Sequence, residues 1–153
     1  LKLNSQATDR PLWICYGSGH PGVLVTMLGG RSLSGAQWPP QLAIWRQLDT
    51  AGDFEAVYNR YALVRLAYRS NSESVSFHNP QVDLFEVGIA PDHPVLRGMG
   101  ARYVLAMGDA QHAVEQSGLE VIYKSPNERF SILEIPRDDR AAERTAMTDR
   151  PSR

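Results

Sequence analysis

Leu12-Trp13-Ile14-Cys15-Tyr16, then Gly17-Ser18-Gly19-His20-Pro21-Gly22, then Val23-Leu24-Val25-Thr26-Met27-Leu28-Gly29-Gly30 form an apolar run, a glycine-rich turn and a second apolar run closed by two glycines. The first run is short enough to be a buried strand. Pro21 suits the first position of a helix, where its missing N–H has no acceptor to lose. Gly29-Gly30 can end that helix in a left-handed cap. Arg31 to Ser34 then reads as a second short strand, closed by Gly35. Strand, helix, strand implies a parallel pair joined by a right-handed crossover, which sets the class as α/β.

The pattern extends in both directions from there. Pro39-Pro40 opens a helix whose Leu42, Trp45 and Leu48 make one apolar stripe. Asp53 reads as the cap of a further turn carrying Phe54 and Val57. Ala62-Leu63-Val64-Arg65-Leu66-Ala67-Tyr68-Arg69 alternates as a strand does. Asn71-Ser72-Glu73 turns into Val75-Ser76-Phe77, and Asn79-Pro80 interrupts before a strand over 82–89. One helical turn is expected over 95–99, then a strand over 101–107 and a helix over 110–116 with Gly118 at its stop. Strands over 119–123 and 130–135 form a hairpin around Ser125-Pro126-Asn127-Glu128. The strand-helix-strand order over 101–124 implies a second parallel pair. The expected fold is α/β, a mixed, partly parallel sheet with flanking helices and an antiparallel C-terminal hairpin. Residues 1–10 read as a flexible segment, 11–136 as a single domain, and 137–153 as a disordered or loosely helical tail.

At 153 residues the chain suits one domain with a continuous core. A net charge of −1 argues against nucleic-acid binding, which needs a concentrated basic face. No apolar run reaches the ~18 residues of a membrane span. The single Cys15 excludes an internal disulfide and a cysteine-based zinc site, and its apolar neighbours mark it as a buried thiol. Fourteen of the 16 cationic residues are Arg, a bias that suits planar hydrogen bonding to carboxylates or sugars but is more simply the imprint of genome composition.

Gly17-x-Gly19-x-x-Gly22 follows a strand and opens a helix, the setting of a dinucleotide fingerprint. A small nucleotide-binding enzyme built on Gly17, Gly19 and Gly22 is therefore one reading. Pro21 counts against it by removing an N–H, and so does the second strand, which ends without the acid that would hold a ribose. Ser18 and His20 stand too close along the backbone to align as nucleophile and base, so a helix cap is the better role. His20, His78, His93 and His112 are scattered, with no metal-ligand spacing. His93 reads as a surface loop histidine, and Asp109 with His112 as a helix cap. No carboxylate couple or catalytic residue stands out, and no metal or cofactor is expected. Trp38, in a loop beside Pro39-Pro40, is placed to stack on a sugar ring.

Tyr58-Asn59-Arg60-Tyr61 is the one stretch whose polar residues look specified. Structurally, the tyrosines would pack and Arg60 would pair with Asp83 or Glu86. As a site, Asn59 and Arg60 would bind hydroxyls or a carboxylate between walls formed by Tyr58 and Tyr61.

This stretch, with Gly100-Ala101-Arg102-Tyr103-Val104-Leu105 and the final hairpin, resembles the soluble C-terminal region of large bacterial polytopic membrane proteins related to GT-C type membrane glycosyltransferases. Gly29-Gly30, Pro39-Pro40 and Trp45 fit the same layout, and the resemblance covers about residues 11–136. It implies an accessory or binding domain on the extracytoplasmic face of the cell membrane, with the membrane portion of the same polypeptide as partner. The start at Leu1 rather than Met agrees with a piece of a longer protein. Carbohydrate or a lipid-linked sugar would be the ligand, near Tyr58, Asn59, Arg60, Tyr61 and Trp38. In GT-C enzymes the catalytic acid lies in the membrane half, so the resemblance carries no catalytic residue to this chain. A purely structural interaction domain is the remaining reading.

Overall fold

The computed structural model describes residues 10–17 and 20–136. The expected flexible segment, save Arg10, and the expected tail over 137–153 lie outside the described residues, as do Ser18 and Gly19. Nine strands form one sheet among the described residues. They are β1 (Leu12–Tyr16), β2 (Arg31–Ser32), β3 (Gly35–Gln37), β4 (Ala62–Tyr68), β5 (Ser76–Gln81), β6 (Leu84–Ile89), β7 (Ala101–Met107), β8 (Glu120–Lys124) and β9 (Phe130–Glu134). The helices are α1 (Pro21–Met27), α2 (Leu42–Leu48), α3 (Glu55–Tyr58), α4 (Pro94–Gly98) and α5 (Gln111–Glu115), with a single 3-10 turn over Gly108–Ala110. The fold is mixed α/β, as the hydrophobic pattern implies.

The sheet order is β5-β6-β4-β1-β7-β9-β8. Its centre, β6-β4-β1-β7, is parallel throughout. In chain order these four strands stand third, second, first, fourth, so the winding reverses direction between β1 and β7. β5 and the β8–β9 hairpin add antiparallel strands on the two sides. β1 and β4 pair only at Tyr16↔Leu66. The rest of their facing edges is taken by β2, which pairs parallel with Leu12 and Trp13, and by β3, which pairs antiparallel with Ala62 to Val64.

Three expectations need correction. β3 is a strand that the pattern did not announce, since three residues with one glycine carry no periodicity. β5 runs through Asn79-Pro80 rather than stopping there, because it is an edge strand and loses no ladder bond to the proline. The parallel pair expected over 101–124 does not form, because β9 inserts between β7 and β8.

Most of the core lies on one face of the sheet. Ile14, Tyr16, Val64, Leu66, Phe85, Val87 and Val104 meet Trp45 and Leu48 of α2, Tyr58 of α3, Leu96 of α4 and Val114 of α5. On the other face a smaller cluster gathers Cys15, Leu105 and Val25 of α1, flanked by Trp13, Met107, Phe130 and Ile132.

Candidate functional site

Two places answer to the sequence. The first is the carboxyl edge of the parallel strands, where ligands of open α/β sheets usually bind. Gly17 ends β1 there with φ +111°, and a Cβ on it would collide with the Met107 carbonyl of β7. Glycine is needed because the two strand ends abut at the reversal of winding. Gly22 lies against Ser32 and Ser34, whose hydroxyls and backbone occupy the space a Cβ would take. Gly17 thus packs against the β7 backbone and Gly22 against two serines, and Gly19 lies outside the described residues. His20 precedes α1 in a left-handed conformation, and its side chain does not cap the helix. Ser32 and Ser34 share a hydrogen bond of 3.2 Å, and β2 carries no acid.

Beside Gly17 a polar crevice of about 330 Å³ is lined by Arg65, Tyr68, Glu86 and Asp109. Arg65 and Glu86 face each other across the β4–β6 register and pair at 2.6 Å. Asp109 lies within the 3-10 turn and does not cap α5. His112 contacts Gln116 at 2.9 Å. Burial pushes the Cys15 thiol up to about 11, so the group is a protonated packing residue at neutral pH. His93 is buried rather than a surface residue. Its Nδ1 accepts the Val95 N–H at 3.2 Å and caps α4. Among the described residues no three His, Cys, Asp or Glu side chains gather where a metal could sit. No helix among them is long and apolar enough to cross a membrane.

The second place is Tyr58-Asn59-Arg60-Tyr61, which joins α3 to β4. Its parts separate sharply. Tyr58 is fully buried, and its hydroxyl donates to Asp49 Oδ2 at 3.1 Å. Burial first, and then the Asp49 carboxylate, push that hydroxyl's pKa up and keep it a donor. Tyr58 is therefore a core residue and not a wall of a ligand site. Asn59 ends α3, exposed. Arg60 does not pair with Asp83 or Glu86, because Arg65 already holds Glu86. Its Nη2 donates to the Ala56 carbonyl at 2.6 Å, and with the Asn79 amide turned to donate to Leu84 O, the Asn79 oxygen accepts from Arg60 Nη1 at 2.8 Å. The guanidinium is committed largely to the fold.

Tyr61 and Trp38 behave differently. They are 66% and 78% exposed, and their rings meet edge to face with centroids 6.1 Å apart. The two planes make an open corner of 72° with Asn59 in the adjoining chain. What fixes the corner is Gln37, a residue with no signal in the sequence. Buried in β3, it donates from Nε2 to the carbonyls of Tyr58 and Arg60, each at 3.0 Å, and accepts from the Trp45 indole. Asp49 is the second hidden support. It accepts the N–H groups of Asp53 and Phe54 at 3.1 and 2.9 Å, and so closes the turn that leads into α3, which has no side-chain cap from Asp53 or any other residue at its N-cap position.

The architecture defines a mixed α/β domain, wound in both directions from a central strand, with an exposed aromatic corner where β4 begins. The chain belongs to the family described as domain of unknown function (DUF7654), which it matches over residues 2–139. No curated protein and no solved structure matches it.

Proposed function

We propose that the chain is a non-catalytic binding domain of a membrane-anchored envelope protein, and that it contacts carbohydrate through Trp38 and Tyr61. The observation behind this reading is the aromatic corner itself. Two large rings in a soluble domain gain most by burial, yet these two stand in solvent on a backbone clamped from beneath by Gln37. A pyranose presents an apolar C–H face that stacks on one ring while the other ring closes the side. Asn59 supplies a donor and an acceptor for hydroxyls at the rim. The resemblance to the extracytoplasmic regions of GT-C related membrane proteins supports glycan or a lipid-linked sugar as the ligand class, and the membrane portion of the same polypeptide as the partner.

The test is a heteronuclear shift titration with cell-envelope oligosaccharides. Resonances of Trp38, Asn59 and Tyr61 should move in a saturable way. Trp38→Ala should weaken binding about tenfold or more, since a lost aromatic contact removes ~1.5 kcal/mol or more. Its melting temperature should stay put, because the ring is exposed. No movement at these three residues with any glycan offered would leave the domain as a structural interaction module.

A further inference from the structure

The polar crevice beside Gly17 is assembled from both sides of the reversal in winding. β1 and β4 pair only at Tyr16↔Leu66, and the crevice lies at that end of β1. Arg65 and Tyr68 line it from β4, Glu86 from β6, and Asp109 from the turn that follows β7. β4 and β6 stand on one side of β1, and β7 on the other. A volume of about 330 Å³ suits a small metabolite. The point where the winding reverses is also where open α/β sheets bind such molecules.

The charged groups of the crevice are only partly spent on one another. Arg65 places both Nε and Nη2 on a single oxygen of Glu86, Oε2, at 2.7 and 2.6 Å. Arg65 Nη1 and Glu86 Oε1 are left without a partner among the described residues. Asp109 enters no ion pair among them. The lining therefore offers an open guanidinium nitrogen together with more carboxylate than Arg65 neutralises. A simple amine would leave the guanidinium donors unused, and a simple acid would meet Glu86 and Asp109 with like charge. A molecule that carries both an ammonium and a carboxylate answers both signs. Ala67, Ala110 and Ala113 complete the wall with small apolar side chains, which leaves room for an aliphatic group.

We propose that this crevice binds a free α-amino acid with an aliphatic side chain, its carboxylate on Arg65 Nη1 and its ammonium on Asp109 and Glu86 Oε1. The aliphatic group lies against Ala110 and Ala113. The N–H donors of an ammonium match the open oxygens of the carboxylates. Charge-assisted bonds at both ends of the ligand offset its loss of water. The site shares no residue with the aromatic corner, so the two readings stand or fall separately.

The test is a heteronuclear shift titration of the whole chain with L-leucine and D-leucine, with calorimetry for the affinity. Saturable shifts are expected at Gly17, Ala67, Asp109 and Ala113, while Trp38 and Tyr61 stay unmoved. Isopentylamine and isocaproate each lack one charged group of leucine. Each should bind the parent protein at least about tenfold more weakly, since each loses a charge-assisted bond. Asp109→Asn, at an exposed position, should weaken leucine about tenfold and leave isocaproate no weaker. Arg65→Lys keeps a charge opposite Glu86 but loses the planar donors, and should weaken leucine about fivefold. Ala113→Leu fills the crevice without altering a charge and should abolish binding. No saturable shift with either enantiomer overturns the proposal, as does leucine binding that Ala113→Leu leaves intact. Isopentylamine binding as tightly as leucine overturns the carboxylate contact and leaves a cation site in its place.

Discussion

The amide of Gln37 donates to the carbonyls of Tyr58 and Arg60 and accepts from the Trp45 indole, so one side chain ties β3, α2 and the entry to β4 together. Gln37→Leu keeps the volume and strands three buried polar groups. It should cost about 3 kcal/mol, since unsatisfied buried groups lose their solvation without return. Urea unfolding measures this, and a loss under about 1 kcal/mol would show that water replaces the amide. Asp49→Ala should cost a comparable ~3 kcal/mol, because it frees the Asp53 and Phe54 N–H groups and orphans the Tyr58 hydroxyl together. Neither residue is conspicuous in the sequence. Gln37 follows two small residues, and Asp49 looks like the end of a helix. Their partners lie 21 and 9 positions away, and only the folded chain brings them together. The stretch 58–61 is conspicuous for a related reason: its polar and aromatic residues have different fates. Tyr58 goes inside, Arg60 turns onto the backbone, and Asn59 and Tyr61 join Trp38 in solvent.

Elements were legible where the signal was local. β1, α1, β7 and the β8–β9 hairpin each carry an apolar run bounded by glycine or proline, β4 carries a plain alternation, and each appears near its expected limits. What sequence could not express was pairing. β3 exists because Gly35, Ala36 and Gln37 meet Val64, Leu63 and Ala62, and β9 separates β7 from β8 by a choice made across the sheet. Helix α4 shows how a local residue can still be misread. His93 sits between prolines, as a surface loop residue would, yet its imidazole is buried and caps the helix. Burial lowers its pKa below the ordinary 6.5, against the weaker opposing pull of Asp92. A neutral ring is needed both for burial and to accept the Val95 N–H. The stability it contributes is therefore complete above pH 6.5 and is lost as pH falls through 6.5 toward the folded value. His93→Asn keeps a capping acceptor that does not titrate, so its unfolding free energy should vary less between pH 7.5 and pH 5 by ~1 kcal/mol, the worth of a helix cap. Parallel profiles for the two proteins would remove His93 from the acid response.

At the scale of the whole molecule, the two faces of the sheet are built unequally. Four helices bury one face, and α1 alone lies on the other. Where the second face passes onto β4 and β6 it is polar, with Arg65 and Glu86 paired in solvent, and it needs no cover. Where it passes onto β7 and β9 it is apolar and still open. Stability should follow this division. Leu96 and Val114 are fully buried on the covered face, and Leu96→Ala should cost about 2–5 kcal/mol because the cavity it leaves is walled by strands that cannot collapse. Met27→Ser and Leu28→Ser remove apolar side chains of similar size from the open face, and each should stay within about 0.5 kcal/mol of the parent. The same pair of serines should lower retention on a hydrophobic-interaction column, which Leu96→Ala leaves alone. Equal destabilisation at both faces would mean that the α1 lip is covered in the free protein, by another part of the chain or by a second copy. A thermal scan and a sedimentation run on the four proteins separate these cases, since only self-association makes the difference depend on concentration.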